Sequence, residues 1–461
     1  MTSKKATWIY WLIFTALLLI YFIYKLSSDD QKIFSPGEMT HGHHQIEMSC
    51  ASCHTDAFGG GEVLQSACIN CHGDELKSVD DSHPKSKFTN PRNASRIKEL
   101  DARQCVTCHS EHKTDITGEM GVTLPEDFCF KCHQDIAEDR PTHKGMAFNT
   151  CASSGCHNYH DNSALYEDFI EKHIADVNLS GELKNKTRST VAELTLLSHY
   201  PIGEYPVKKL THSDLTNSMS IISDDNIVHE WETTAHAAAG VSCKACHEQK
   251  LESDKIIWIQ KPTEQSCKSC HSSEVAGFLD GKHGMRIKAG LAPMTPSDAR
   301  QTMRATSHSN ELSCVSCHSA HKFDIKHAAV DACLGCHDDT HSKSYKQSPH
   351  FGTWHKETTG QAAKNTGVSC ASCHMPAVIK DIEDHKLVLV EHNQSLNLRP
   401  NEKMIRSVCM NCHSLGFSID SLADKLLIKN NFIGKPSVHV KSIDMVKDRL
   451  SKRNKKHGGG L

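Results

Sequence analysis

The sequence predicts a mainly α-helical chain with extensive loop, led by one membrane-spanning helix and too poor in apolar residues to fold around protein alone. Three observations predict this. Aromatic residues make up 6% of the 461, and mean hydropathy is −0.47. Apolar residues recur at helical spacing in several segments, while no segment shows the sustained alternation of a half-buried strand. All 22 cysteines fall in pairs, and each pair is followed at once by histidine.

Ten pairs read C-x-x-C-H. They are Cys50/Cys53-His54, Cys68/Cys71-His72, Cys105/Cys108-His109, Cys129/Cys132-His133 and Cys243/Cys246-His247, then Cys267/Cys270-His271, Cys314/Cys317-His318, Cys333/Cys336-His337, Cys370/Cys373-His374 and Cys409/Cys412-His413. The eleventh, Cys151/Cys156-His157, has the wider spacing C-x4-C-H. C-x-x-C-H is the attachment signature of c-type haem, with two thioethers on the porphyrin and the adjacent imidazole as proximal iron ligand. A zinc ribbon does not need a histidine after each second cysteine. A thioredoxin-like pair normally occurs once. A disulfide framework does not repeat one spacing ten times. For Cys151/Cys156 a disulfide-bonded turn around Gly155 stays open. The expectation is therefore eleven covalently bound haem c groups on a multihaem c-type cytochrome scaffold, with porphyrin supplying the apolar surface the residues lack.

Residues 1–28 hold Lys4 and Lys5 and then an apolar run from Ala6 to Leu26, long enough to span a bilayer. Trp8, Tyr10 and Trp11 suit one interface, and Tyr21 and Tyr24 the other. The leading lysines predict a cytoplasmic N-terminus and an uncleaved signal anchor, with cleavage as the alternative. The haem-bearing remainder is then expected in the periplasm of a bacterial inner-membrane, single-pass protein. Residues 38–162 carry the first five motifs and read as loops with short helices. Residues 163–228 carry no cysteine and form a connector, with a helix expected from Ala164 to Ala175 and interruptions at Pro201 and Pro206. Residues 229–432 carry six motifs, with helices expected over Gln265–Lys282 and Ser418–Leu427. Residues 433–461 are a basic tail ending in flexible glycines.

Eleven of the 34 histidines are proximal, which leaves 23. Two axial imidazoles on every iron are therefore possible. Candidate distal ligands are His44, His83, His112, His143, His160, His236, His283, His321, His350, His385 and His392, with His173 and His308 also considered. His112, His160 and His321 each follow a proximal histidine by three residues. On a helix that offset gives neighbouring faces, so each would serve a different haem from its neighbour. An iron with both axial positions filled shuttles electrons and binds no substrate.

The first cluster resembles cytochrome c3 and c7-like modules, through CVTCHSEH (105–112) and CASSGCHNYH (151–160). The second resembles the hydroxylamine oxidoreductase family with its octahaem nitrite-reducing relatives. WETTAHAAAGVSCKACH (231–247), CKSCHSSEVAGFLDGKHGMR (267–286), SYKQSPHFGTW (344–354), GVSCASCHM (367–375) and VCMNCHSLGFSIDSLADK (408–425) carry that likeness. It implies one open haem, on His271, with His308 as a distal acid. No tyrosine follows Tyr345, whereas the oxidative members carry a late cross-linked tyrosine, so the resemblance favours reduction over hydroxylamine oxidation.

These readings predict a membrane-anchored carrier passing electrons from a quinol-linked donor to a terminal reductase or outward. The alternatives are a reductase of nitrite, hydroxylamine or a related small oxyanion at one open haem, and a haem-stacked filament subunit. A net charge of −3 gives no footprint for nucleic acid.

Overall fold

The computed structural model describes residues 3–28, 31–56, 59–125, 127–140, 143–144, 158–161, 167–176, 209–215, 224–382, 385–398 and 403–457. The chain forms two compact units, Met1–Ser78 with His83–Cys132, and Val79–Ser82 with His133–Leu461. The division falls inside the fourth motif.

In the first unit, α1 (Ser3–Leu26) is an unbroken apolar helix without glycine or proline. At about 1.5 Å per residue its length exceeds the hydrocarbon thickness of a bilayer. It is the one helix among the described residues long and apolar enough to cross a membrane. Its end is tied off by Ser28 Oγ donating to Lys25 O and Gln31 Nε2 donating to Leu26 O, both at 2.9 Å. Helix α2 (Gly61–Ser78) carries the whole second motif. The other described motifs of this unit sit on 3-10 turns, Cys50–Ser52, Cys105–Thr107 and Phe128–Lys131. Met39, Ala67, Phe88 and Phe128 are its buried apolar residues.

The second unit is helical with two small hairpins. Helix α3 (Glu167–His173) falls where the connector helix was expected. Helices α4 (Asp225–Glu232) and α5 (Ala235–Ala238) are capped by Asp224 and Thr234. Strands β1 (Glu248–Lys250) and β2 (Ile256–Trp258) pair antiparallel. Helix α6 (Ser272–Asp280) follows the seventh motif, α7 (Cys314–His318) carries the eighth, and α8 (Ile325–Ala329) starts at the Asp324 cap. After α9 (Pro349–Thr358) comes a second hairpin, β3 (Ala377–Ile382) against β4 (His385–Val390). Helices α10 (Leu415–Ala423), α11 (Lys425–Lys429) and α12 (Ser442–His457) end the chain.

The hairpins correct the expectation of no sheet. Strand pairing came from β-branched runs such as Ala377–Ile382, which lack the period-two signature but suit pleated backbone. The helix expected over Gln265–Lys282 is two helices, Glu264–Lys268 and α6, because His271 leaves helical dihedrals (φ −119°, ψ 44°). The helix expected over Ser418–Leu427 breaks at Asp424. That carboxylate accepts from Leu426 N, Leu427 N, Ser437 N and Ser437 Oγ, so it starts α11 and pins the following loop.

The main protein core is small. Ile170, Ile174, Ile405, Leu415, Ile419 and Ile443 form one buried cluster joining α3, α10 and α12. A second holds Val228, Trp231 and Ala237, and a third Val330, Leu334 and Tyr345.

Candidate functional site

Each described motif is a single tight turn. The proximal histidine N–H donates to the carbonyl of the first cysteine at 2.8 Å in His54 and 2.9 Å in His109, His271, His337 and His413. One turn of that kind brings positions i, i+3 and i+4 to one face. Both sulfurs and the imidazole therefore point the same way, as attachment of one porphyrin requires. The 20 described motif cysteines are free thiols, standing here for the thioether sulfurs of the assembled protein. Cys151, Cys156 and His157 lie outside the described residues.

Opposite most motif histidines stands a second imidazole. Ring centroids are 6.0 Å apart for His247 and His321, 6.1 Å for His271 and His236, and 6.3 Å for His318 and His392. They are 6.2 Å apart for His337 and His283, 6.1 Å for His374 and His341, and 6.3 Å for His413 and His350. In the first unit His72 faces His43 at 5.8 Å. An imidazole nitrogen binds a first-row metal at about 2.0–2.1 Å, so two imidazoles clasping one iron have centroids about 6.3 Å apart. The two imidazoles of each pair would hold an iron between them. No cluster of three or more metal-binding side chains occurs among the described residues.

The surrounding hydrogen bonds choose the ligating nitrogen. His247 Nδ1 lies 2.7 Å from Ile259 O, His392 Nδ1 2.8 Å from Val390 O, and His341 Nδ1 against Ile428 O. His109 Nδ1 lies 3.2 Å from Gly121 O, and His112 Nδ1 2.8 Å from Gly37 O. A carbonyl only accepts, so Nδ1 carries the proton and the lone pair sits on Nε2. Burial, reinforced by neighbouring histidines, pushes His236, His283, His350 and His374 down to about 4. They stay neutral at ordinary pH, which a metal ligand must be.

Aromatic side chains set the ring planes. Trp258, delivered by β2, stacks on His247 at 4.9 Å and 10°. Phe417 stacks on His413 at 4.8 Å. Phe432 lies 6.4 Å from His341 and 5.9 Å from His350, so one ring buttresses both.

At four points the arrangement differs from the expected one. The imidazole opposite His72 is His43, while the neighbouring His44 turns its Nδ1 to Glu47 at 3.7 Å. His341 was not expected at all. It follows His337 by four residues, outside the C-H-x-x-H pattern. The two fully described C-H-x-x-H segments, 108–112 and 317–321, are not helical through their second histidine, because His112 and His321 have φ of +60° and +65°, with Ser319 and Phe323 also positive. This left-handed backbone, costly for non-glycine residues, swings the second imidazole away from the first. Finally, the ring facing His271 is His236. His308 is exposed in a turn, and among the described residues no hydrogen bond or ring contact joins its side chain to His271.

The remaining candidates are placed as follows. His83 precedes the helix Lys85–Thr89. His143 is partly buried in a turn, and burial followed by Arg140 lowers its pKa. His160 Nδ1 lies 3.1 Å from Asp81, and His173 Nδ1 2.7 Å from Asp176. His385 begins β4.

Sulfurs of different motifs also meet. Cys68 lies beside Cys105, Cys267 beside Cys314, and Cys333 beside Cys370. Cys53 lies within electrostatic reach of Cys71, Cys246 of Cys270, Cys317 of Cys333 and Cys336, and Cys373 of Cys409 and Cys412. From Cys243 to Cys412 these neighbours run through six motifs in sequence order.

Two regions, 42–134 and 235–338, match the model of the cytochrome c3 family. No curated protein matches the chain. Each matched region holds four C-x-x-C-H motifs, so the grouping is two tetrads with further motifs after each. The second match falls in the region read as similar to hydroxylamine oxidoreductase, and that likeness is not supported. With the helical build and the motif geometry, the match makes this a multihaem c-type cytochrome scaffold. The tetrads also agree internally. His43 and His236 each stand seven residues before the first cysteine of their tetrad, and each faces the histidine of the second motif. Aligning the two tetrads is the signal that would have selected His43 over His44.

Proposed function

We propose that the protein is an electron carrier with eleven haem c groups, held at the inner membrane by α1 with its haem-bearing part in the periplasm. The observation that carries this is the set of six imidazole pairs in the second unit, spaced 6.0–6.3 Å, one for each of the six motifs from Cys243 to His413. In this reading His321, His236, His392, His283, His341 and His350 are the distal ligands of the haems on His247, His271, His318, His337, His374 and His413. His43 serves the haem on His72. His112 serves the haem on His54, because its tetrad counterpart His321 faces the histidine of the first motif.

Haem c, when bound, supplies a one-electron ferric/ferrous couple. The chain's own part is to close both axial positions, which favours transfer over substrate chemistry. Cys267 lies beside Cys314 and Cys333 beside Cys370, so the residues of successive motifs would hold their haems next to one another along the order Cys243 to Cys412. A quinol-linked donor and a terminal reductase are the proposed partners.

The test is electron paramagnetic resonance of the oxidised holoprotein, with intact mass. An entirely low-spin spectrum and eleven haem increments are expected. A high-spin share near one iron in eleven would instead restore an open, catalytic haem.

A further inference from the structure

The two tetrads are close copies at one place and differ there by one residue. After the third motif the first reads Cys108-His109-Ser110-Glu111-His112-Lys113, and the second Cys317-His318-Ser319-Ala320-His321-Lys322. Glu111 reaches across the first unit to the segment that carries His43. Its Oε1 accepts from His43 Nδ1 at 2.6 Å and from Thr40 Oγ1 at 2.8 Å, and its Oε2 accepts from Thr40 N at 2.7 Å. Both side chains are largely enclosed, with 32% of His43 and 23% of Glu111 exposed. The counterpart of His43 is His236, whose Nδ1 is buried with no hydrogen-bond partner among the described residues. The alanine at 320 has no carboxylate to offer it.

We propose that Glu111 is a positioning residue that sets the potential of one haem, making the His72/His43 site more reducing than its copy at His271/His236. This rests on His43 and His236 being distal ligands, as proposed above. A carboxylate on Nδ1 fixes the ring with Nε2 outward and makes the imidazole a stronger donor. It also places a negative charge beside the site, inside a partly enclosed region where such charges act strongly. Ferric iron carries one more positive charge than ferrous, so both effects favour the oxidised state. No bond breaks and no proton need move. The couple exchanges one electron with whatever donor or acceptor is offered. The five ligating or candidate imidazoles whose Nδ1 meets a backbone carbonyl lack this charge. The difference biases electrons away from the second motif of the first tetrad.

The experiment is optical redox titration of the full-length holoprotein, with a dithionite-type reductant and a ferricyanide-type oxidant, alongside spin state. In Glu111→Gln the amide oxygen can still accept from His43, so ligation persists while the charge is lost. About one haem's share of the absorbance change is expected to move to higher potential, with the spectrum still low-spin. Ala320→Glu is expected to move a similar share to lower potential. Superimposable titrations of wild type and Glu111→Gln overturn the proposal. So does a new high-spin haem in Glu111→Gln, which would make the carboxylate a mere support for ligation. His43→Ala separates the underlying reading, because an unchanged low-spin count there means that His43 is not a ligand.

Discussion

At the residue scale the decisive quantity is the distance between imidazoles. His341 and His308 make the contrast. His341 stands 6.1 Å from His374 with its Nδ1 anchored on Ile428 O, and Asn431 Nδ2 lies 3.1 Å from its backbone carbonyl and 3.2 Å from its Nε2. His308 is exposed and makes no ring contact among the described residues. His341→Ala is expected to convert one low-spin haem to high spin while haem stoichiometry stays the same, read by paramagnetic resonance and intact mass. The lost signal should be a strongly anisotropic one, since the ring planes of His341 and His374 cross at 88° and perpendicular ligands leave two iron orbitals nearly degenerate. His308→Ala is expected to leave the spectrum unchanged. A spectral change in His308→Ala, with none in His341→Ala, would reverse the assignment.

At the element scale, small local features hold the ligands in place. Glycine 277 in α6 lets the loop after β4 approach closely. A Cβ there would meet Glu391 Oε1 at 2.8 Å, Asn393 N at 3.1 Å and His392 N at 3.2 Å. Gly277→Val is expected to push His392 from His318 and raise one haem toward high spin. Gly352→Ala in α9 is the control, since nothing lies within 4 Å of its Cβ position. It should stabilise by up to about 1 kcal/mol in thermal unfolding, through helix propensity.

The C-terminal helix carries a pH-dependent latch. His439 Nδ1 lies 2.9 Å from Asp420 in α10, and its Nε2 lies 2.8 Å from Asp444 in α12. The hydrogen bonds to Asp420 and Asp444 raise the His439 pKa above its usual value. A raised folded pKa gives stability that is complete below the unfolded value near 6.5 and lost as pH rises through the folded one. Protection factors of the α12 amides, with the intrinsic base-catalysed rate divided out, are therefore expected to fall above neutral pH. His439→Gln should remove that pH dependence, and an unchanged profile in the variant would exclude the latch.

At the scale of the whole molecule, the protein has too little core to stand alone. Among the described residues the cluster joining α3, α10 and α12 holds six buried residues, in a chain with 6% aromatics. Tyr345 shows how the missing volume is arranged. Its ring is buried, its hydroxyl donates to Val368 O at 2.7 Å, and its surroundings include Cys370, Cys373 and Cys333. Bound haem would supply the apolar volume that these side chains do not. Chain made without haem attachment is expected to show no cooperative thermal transition and little near-ultraviolet dichroism, as for small domains that fold only with their metal. A sharp two-state melt of haem-free protein would refute this.

Much of this was legible in order along the chain. Haem attachment, the proximal ligands and the apolar helix are local features: a turn of five residues or a run of twenty decides them, and neighbours in sequence supply all the chemistry. The distal ligands were only partly legible. Surplus histidines could be counted, but His43 and His44 are adjacent and identical in type, and only the fold turns one toward His72 and the other toward Glu47. His341 was invisible because its partner His374 lies 33 residues on and its anchors, Ile428 and Asn431, lie farther still. Covalent attachment is a property of local sequence. Axial pairing, the carboxylate that Glu111 brings to His43 and the order of sulfur contacts depend on which distant segments pack together, and packing is decided by the tertiary structure.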